Sequence, residues 1–210
     1  MQRINNQFDK ITLERRSLRS YDPSVKISRE DMLQMLDEAF RAPSSVNLQP
    51  WRFVIVESEE EKAKLKPLIR FNTLQNDSSS AMILIFGDRQ CYENGGKIYN
   101  QAVEEGKMPA DVRDAQLNVI LPTYQSYSKE KMDRVITIDS SLAAMQFMLV
   151  ARSYGYDTNA IGGFEEDQVG QAFGMDSDRY LPIMIISIGK ALDQGYPSVR
   201  LSAEEVTTFK

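Results

Sequence analysis

From Ile136 to Tyr154 the chain carries apolar residues on almost every side of a helix. Ile138, Leu142, Met145 and Leu149 recur at helical spacing, and Ala143, Ala144, Phe147, Met148 and Val150 fill the faces between them. Such a helix must be covered, either in a protein core or in an interface between subunits. Gly155 follows where a helix commonly ends in a left-handed residue. The remaining elements have to be arranged around this one.

Three strands are available to pack on it. Trp51–Glu57 alternates and then runs apolar, while Ala81–Gly87 and Pro182–Gly189 read as buried strands; Asn159–Ile161 is a shorter fourth. Helices are expected over Asn5–Glu14 and from Ser28 through Arg41. Ser28 and Asp31 resemble a capping box there, with Leu33, Leu36 and Phe40 on the apolar face, flanked by Met32 and Ala39. Pro43 stops that helix. Ser58-Glu59-Glu60-Glu61 opens another to about Ile69, and Glu165–Phe173 forms a further one closed by Gly174. Asp88 to Arg134 is polar and weakly periodic, as expected of surface helices forming a lid or insertion. The tail from Ala191 to Lys210 has no core-forming run, so it is either frayed or packed across a partner subunit. Helices outnumber strands without alternating regularly with them, which favours an α+β domain over a doubly wound sheet, with one domain spanning residues 1–210.

Several chemistries are excluded. The chain has no histidine, which removes Ser-His-Asp and Cys-His catalysis and the HExxH metal helix. Cys91 is the single cysteine, so no internal disulfide or Cys-x-x-Cys site exists. No uninterrupted apolar run reaches the roughly 20 residues of a membrane span, and the first residues show no apolar signal region. A reducing, cytoplasmic setting is therefore expected. The formal net charge of -5 argues against nucleic acid as the main partner. Reactivity must come from carboxylates, lysines, tyrosines or a bound cofactor.

Against that acidic background stand Arg15, Arg16, Ser17 and Arg19. Guanidinium forks around a hydroxyl suit a dianionic phosphate; arginines closing a helix suit its dipole equally. Ala42-Pro43-Ser44-Ser45-Val46-Asn47-Leu48-Gln49-Pro50 is a stiff segment rich in neutral donors and acceptors, which suits a polar heterocycle or an ordinary helix-to-strand loop. Trp51 reads as a core anchor. Ile161-Gly162-Gly163-Phe164 joins a strand to a helix, either a tight turn or a place where backbone N–H groups approach a ligand. Glu165, Glu166 and Asp167 beyond it fall in a first helical turn, where carboxylates are favoured structurally. Near the C-terminus, Ser198 and Arg200 repeat the serine–arginine pairing. No GxxxxGK[ST] or GxGxxG motif follows a strand.

Taken in order, these segments resemble the nitroreductase family of flavin-dependent oxidoreductases across nearly the whole chain. The resemblance implies a central mixed, largely antiparallel sheet flanked by helices, in an intertwined homodimer with exchanged C-terminal tails. It implies FMN as cofactor, NAD(P)H as co-substrate and a small planar electron acceptor, turned over by a ping-pong cycle with FMN carrying the chemistry. Arg15, Arg16, Ser17 and Arg19 would bind the FMN phosphate and ribityl chain, joined by Ser198 and Arg200. Pro43, Ser44, Ser45 and Asn47 would reach the flavin from the other subunit. Asn72 and Gln75 would contact the ring edge, and Ile161, Gly162 and Gly163 would lie near N5, with the Gly162 N–H as donor. The chain departs from some members in having Gly162-Gly163 for a Glu-Gly pair and Gln75 for a lysine. Related activities of the same architecture (dehalogenation, flavin breakdown, azoline oxidation) and non-catalytic FMN binding stay open. Tyr92, Tyr99, Tyr124 and Tyr127 are candidates to line the pocket or to pack surface helices.

Overall fold

The computed structural model describes residues 1–210. Its centre is a four-stranded sheet of β1 (Trp51–Val56), β2 (Ala81–Asp88), β3 (Asp157–Ile161) and β4 (Tyr180–Gly189), in the order β1-β2-β4-β3. All three ladders are antiparallel; a parallel bridge from Ser17 to Thr158 extends the β3 edge. β2 is buried along its whole length. Because side chains alternate across a strand, Ile83 and Ile85 pack with Met35, Phe147 and Ile186 on one face. Met82, Leu84 and Phe86 pack with Leu65, Phe164 and Val169 on the other.

Helices cover both faces. On the first lie α2 (Arg29–Ala39) and the 25-residue α7 (Lys129–Ser153). Ser28 and Ser58 each accept from the backbone N–H three residues on, and so start α2 and α3 (Glu59–Leu65). α1 (Phe8–Leu13) is shorter than its sequence suggested, and α4 (Thr73–Ser78) precedes β2. Gly155 and Gly174 take positive φ, 84° and 71°, where α7 and α8 (Glu166–Ala172) end. Gly87 lets α7 close on β2: a Cβ there would lie 2.8 Å from Ile136.

One expectation about faces is corrected, and one left open is resolved. In α2 the buried residues are Met32, Met35, Leu36 and Ala39, and Leu33 is exposed. In α7 the stripe Ile138, Leu142 and Met145 points outward, while Ile136, Ala143, Ala144, Phe147 and Ala151 enter the core. The small alanines allow close packing on the sheet, whereas the bulkier stripe marks the surface left uncovered. α7 also begins seven residues earlier than the apolar pattern, at a Ser128 cap followed by a charged turn. In length and mean hydropathy (1.3 over its most apolar window) α7 would suffice for a membrane span, yet 44% of that window is buried inside the protomer.

Residues 88–134 form α5 (Gly95–Glu104), α6 (Ala110–Gln125) and the start of α7, a largely exposed helical layer. Asp88 roots this layer by accepting from both Arg52 and Arg179 at 2.8–2.9 Å. The C-terminal tail is exposed, with one short helix, α9 (Ala203–Val206), started by a Ser202–Glu205 capping box.

Candidate functional site

Residues 15–21 leave α1 as an extended strip along the β3 edge. The Leu18 N–H donates to Thr158 O, Tyr21 bridges to Ala191, and the Leu192 N–H returns to Ser20 O. Leu18 and Tyr21 point inward and are buried. The Tyr21 hydroxyl donates to Leu18 O at 2.6 Å and lies 2.8 Å from Ser187 Oγ, which fixes the strip. Alternation then leaves Ser17 half-buried and Arg19 exposed on the outer side.

The arginines play different parts. Arg16 donates to Leu13 O and Arg15 O, so part of its role is to cap the end of α1. Arg15 is half-buried, and burial lowers its affinity for its own proton; Arg200, Arg152 and Arg16 add repulsion from nearby. Arg200 therefore comes from the far end of the chain to stand beside Arg15, with Ser198 exposed two residues before it. Arg15, Arg16, Arg19 and Arg200 form no ion pair, whereas Arg152 is held by Asp157 at 2.7 Å and Glu14 at 3.6 Å. Uncompensated guanidinium groups converging in an acidic chain are the chemistry that an anion would satisfy. Gly195, at φ 68°, brings the tail in; a Cβ there would lie 3.2 Å from Arg16 and Leu18. Clefts of about 730 and 440 Å³ open on either side, the first beside Arg16 and Arg152, the second beside Ser17 and Arg19.

The glycine turn lies on the same edge. β3 ends at buried Ile161, and neither Gly162 nor Gly163 takes a positive φ, so the turn itself does not demand glycine. A Cβ on Gly162 would meet nothing within 4 Å, which leaves open space above its backbone. Asn72 donates to Gly163 O at 3.3 Å and to Ile69 O at 2.9 Å, and the buried Gln75 donates to Asn72 Oδ1. Glu165 pairs with Arg70 at 2.9 Å and its N–H donates to Leu68 O, a structural role for that carboxylate. Between these clamps, Arg70 adopts φ 51° and Phe71 is 97% exposed.

Pro43, Ser44, Ser45 and Asn47 are not brought to this edge. Their loop enters β1, which borders the sheet on the side away from β3. It enters at the level of Leu181 on β4, whereas Ser17 meets the sheet at the level of Ile188. At ordinary spacings the two regions are separated by about 14 Å across the strands and roughly 20 Å along them. Within one protomer they occupy diagonally opposite corners. Trp51 anchors the loop's end, buried and 5.8 Å from the Phe40 ring. Tyr99 donates to Val46 O at 3.1 Å, so it holds the loop, and Tyr124 packs 4.9 Å from Tyr127.

Two residues of consequence lacked a sequence motif. Arg152 is the last-turn cation of α7, and its Nε is buried without a hydrogen-bond partner. Asp139 lay inside an apolar helix and caps the Ser45 turn: its carboxylate accepts from Ser45 N at 2.9 Å and from Ser45 Oγ at 3.1 Å.

The fold is that of an α+β protein whose β3 edge is basic and bordered by glycines. Residues 12–190 match the nitroreductase family, and the chain belongs to that family. It is 46% identical to YdgI of Bacillus subtilis, named as an NAD(P)H nitroreductase, over 98% of both chains. It is 38% identical to the CLA biosynthesis enone reductase of Lactiplantibacillus plantarum, over 98% of this chain and 95% of that one. A crystal structure from Exiguobacterium sibiricum, of a protein described as a nitroreductase in complex with FMN, superposes over 100% of both chains with a TM-score of 0.97 at 51% identity.

Proposed function

We propose that the protein is an FMN-dependent oxidoreductase that takes hydride from NAD(P)H and delivers it to a small planar acceptor, such as a nitroaromatic or a quinone. The carrying observation is the convergence of Arg15, Arg16 and Arg200 without carboxylate partners, beside the orphaned Arg152 Nε and next to the open backbone of Gly162. An orphaned buried donor fits a ligand that completes it. These residues fit FMN: a dianionic phosphate for the arginines, and a flat ring for the space above Gly162.

When bound, FMN supplies the hydride chemistry that a chain without histidine lacks. Arg15 and Arg200, with Ser17 and Ser198, hold the phosphate through charge-assisted hydrogen bonds. Arg16 and Arg19 add charge along the ribityl chain. Asn72 and Gln75 present fixed amide groups to the ring edge. Ile161, Gly162 and Gly163 would border the reactive part of the ring, where the Gly162 N–H would act as a preorganised donor, electrostatically rather than as an acid or base. Gln75 puts a neutral amide where a cation would favour the anionic reduced ring.

The loop carrying Pro43, Ser44, Ser45 and Asn47 completes the site from a second copy, in a homodimer. Its distance from the arginine strip supports this, as does the uncovered Ile138, Leu142 and Met145 stripe of α7. Residues 88–134 serve as a lid. A reducing, cytoplasmic setting suits the buried free thiol of Cys91. NAD(P)H and the acceptor alternate in one slot, which predicts parallel double-reciprocal lines; intersecting lines would count against the cycle. The enone reductase among the relatives extends the acceptor class to activated carbon–carbon double bonds. A yellow protein whose flavin band bleaches on anaerobic addition of NAD(P)H is the expected result. A colourless protein that takes up no FMN would overturn the proposal, and a yellow one that NAD(P)H fails to bleach would leave FMN binding without turnover.

A further inference from the structure

Asp139 is an expensive residue in its position. It is 3% exposed, inside the long helix α7 among apolar neighbours, and no cation lies within ion-pairing distance of it. A buried carboxylate without a counter-charge opposes folding unless its hydrogen bonds serve something else. Both of its oxygens are spent on one residue, Ser45.

What Ser45 begins is equally costly. Val46, Asn47 and Gln49 adopt φ of 44°, 57° and 48°, in the left-handed region that residues other than glycine seldom enter. Val46 is β-branched, the least suited type. Strained backbone of this kind persists only where the surroundings over-determine it. Here Ser44 Oγ accepts from the Gln49 N–H, Tyr99 holds Val46 O, and Asn94 holds Leu48 O. Asp139 is the only charged group in the set, and it grips the turn's first residue through backbone and side chain together. The strain leaves Asn47 exposed at the surface, with Gln49 Nε2 on its Oδ1 at 3.2 Å.

We infer that Asp139 is the positioning residue of the Pro43–Gln49 loop, locking the strained turn in the one conformation that presents Asn47 and Ser44 to the flavin of the partner subunit. The inference rests on the flavin reading above. Burial raises the affinity of Asp139 for a proton, and the bonds from Ser45 oppose this in part. The titratable groups facing it are the Tyr124 hydroxyl and the Cys91 thiol, neither of them a cation at neutral pH.

The test is a graded series on the full-length protein: Asp139→Ala, Asp139→Asn and Ser45→Ala, read by amide hydrogen exchange at residues 45–49 and by FMN titration. Alanine removes both acceptors, and asparagine keeps one neutral acceptor. Exchange across 45–49 should rise about tenfold or more in Asp139→Ala and less in Asp139→Asn, and FMN affinity should fall in the same order, by about tenfold for alanine. Ser45→Ala should add little in the Asp139→Ala background, because both act through one contact. Should the alanine variant not fold, asparagine and Ser45→Ala decide alone. A merely structural Asp139 would lower the thermal midpoint and leave FMN affinity and the acceptor KM untouched, and that result would overturn the inference. Unchanged exchange at 45–49 would overturn it too. If the wild-type protein takes up no FMN, the flavin reading fails, and the exchange measurement still decides whether Asp139 locks the turn.

Discussion

Two corners of this molecule, both assigned to the flavin on the proposed reading, hold their polar groups in place by opposite means. The arginine strip at the β3 edge is extended and free of positive φ, pinned by backbone bonds to β3 and by the buried Tyr21. Its tension is electrostatic: Arg200, Arg152 and Arg16 crowd around Arg15, and of these only Arg152 has acid partners, Asp157 and Glu14. The Pro43–Gln49 loop at the β1 edge carries its tension in the backbone, at Val46, Asn47 and Gln49, and a single buried carboxylate grips its start. An anion relieves crowded cations on arrival, so the strip is most unfavourable when empty. The loop is strained with or without a ligand, so its geometry is ready beforehand. One corner is built for affinity, the other for placement.

The largest effect should come from discharging the strip. Arg15→Ala combined with Arg200→Ala is expected to weaken FMN binding by about a hundredfold or more, since hydrogen bonds to charged groups contribute about 1.5–3 kcal/mol each. The thermal midpoint of the flavin-free protein should not fall, because like-charge repulsion is removed. Fluorescence titration with a melting curve tests both halves; retained flavin would break the contrast between the corners.

A smaller effect should come from relaxing the loop. Asparagine tolerates the left-handed region far better than valine, so Val46→Asn is expected to stabilise the fold by about 1 kcal/mol, seen as an upward shift in the thermal midpoint. The same replacement at Arg16, in the extended strip, should give no such gain.

The pH dependence sharpens the contrast further. Burial raises the folded-state pKa of Asp139 above its ordinary value. Its contribution to stability is therefore fully present in acid and is lost as pH rises through that raised pKa. Asp139→Asn should thus melt at or above the wild-type temperature at neutral pH, with the gap closing as pH falls towards 4. A gap that widens in acid would reverse the sign and contradict the burial argument.

The smallest signal comes from Cys91, which packs with Leu48 beneath the loop. Burial pushes its thiol up to about 12, so a thiol reagent at pH 8 should label it only as that side opens. Labelling should be slow in wild type and faster in Asp139→Ala, with no acceleration from Arg15→Ala. Equal acceleration by both would mean that the two corners open together.

Legibility in the sequence followed the range of the forces involved. The caps at Ser28 and Ser58 and the stops at Gly155 and Gly174 were readable because each acts within a few residues. The buried strands β2 and β4 declared themselves by continuous apolar runs. The left-handed turn at Val46 was not readable, since valine gives no local signal for positive φ and long-range contacts impose it. Which side of α7 the sheet covers was left open, because a helix apolar on almost every side shows that it must be covered without showing which face the sheet takes.

By itself, then, the sequence determined the α+β class, the four strands, the capped helices and the exclusion of histidine and Cys-x-x-Cys chemistry, and it raised a basic, hydroxyl-bearing anion site at Arg15–Arg19 as an expectation. Only the tertiary structure decided that Arg200 and Arg152 stand beside Arg15, that Asp139 turns inward to hold Ser45, and that the arginine strip and the Pro43–Gln49 loop occupy opposite corners of one sheet. Local patterning acts between near neighbours along the chain, whereas converging charge and imposed strain depend on which distant segments the packed core brings together.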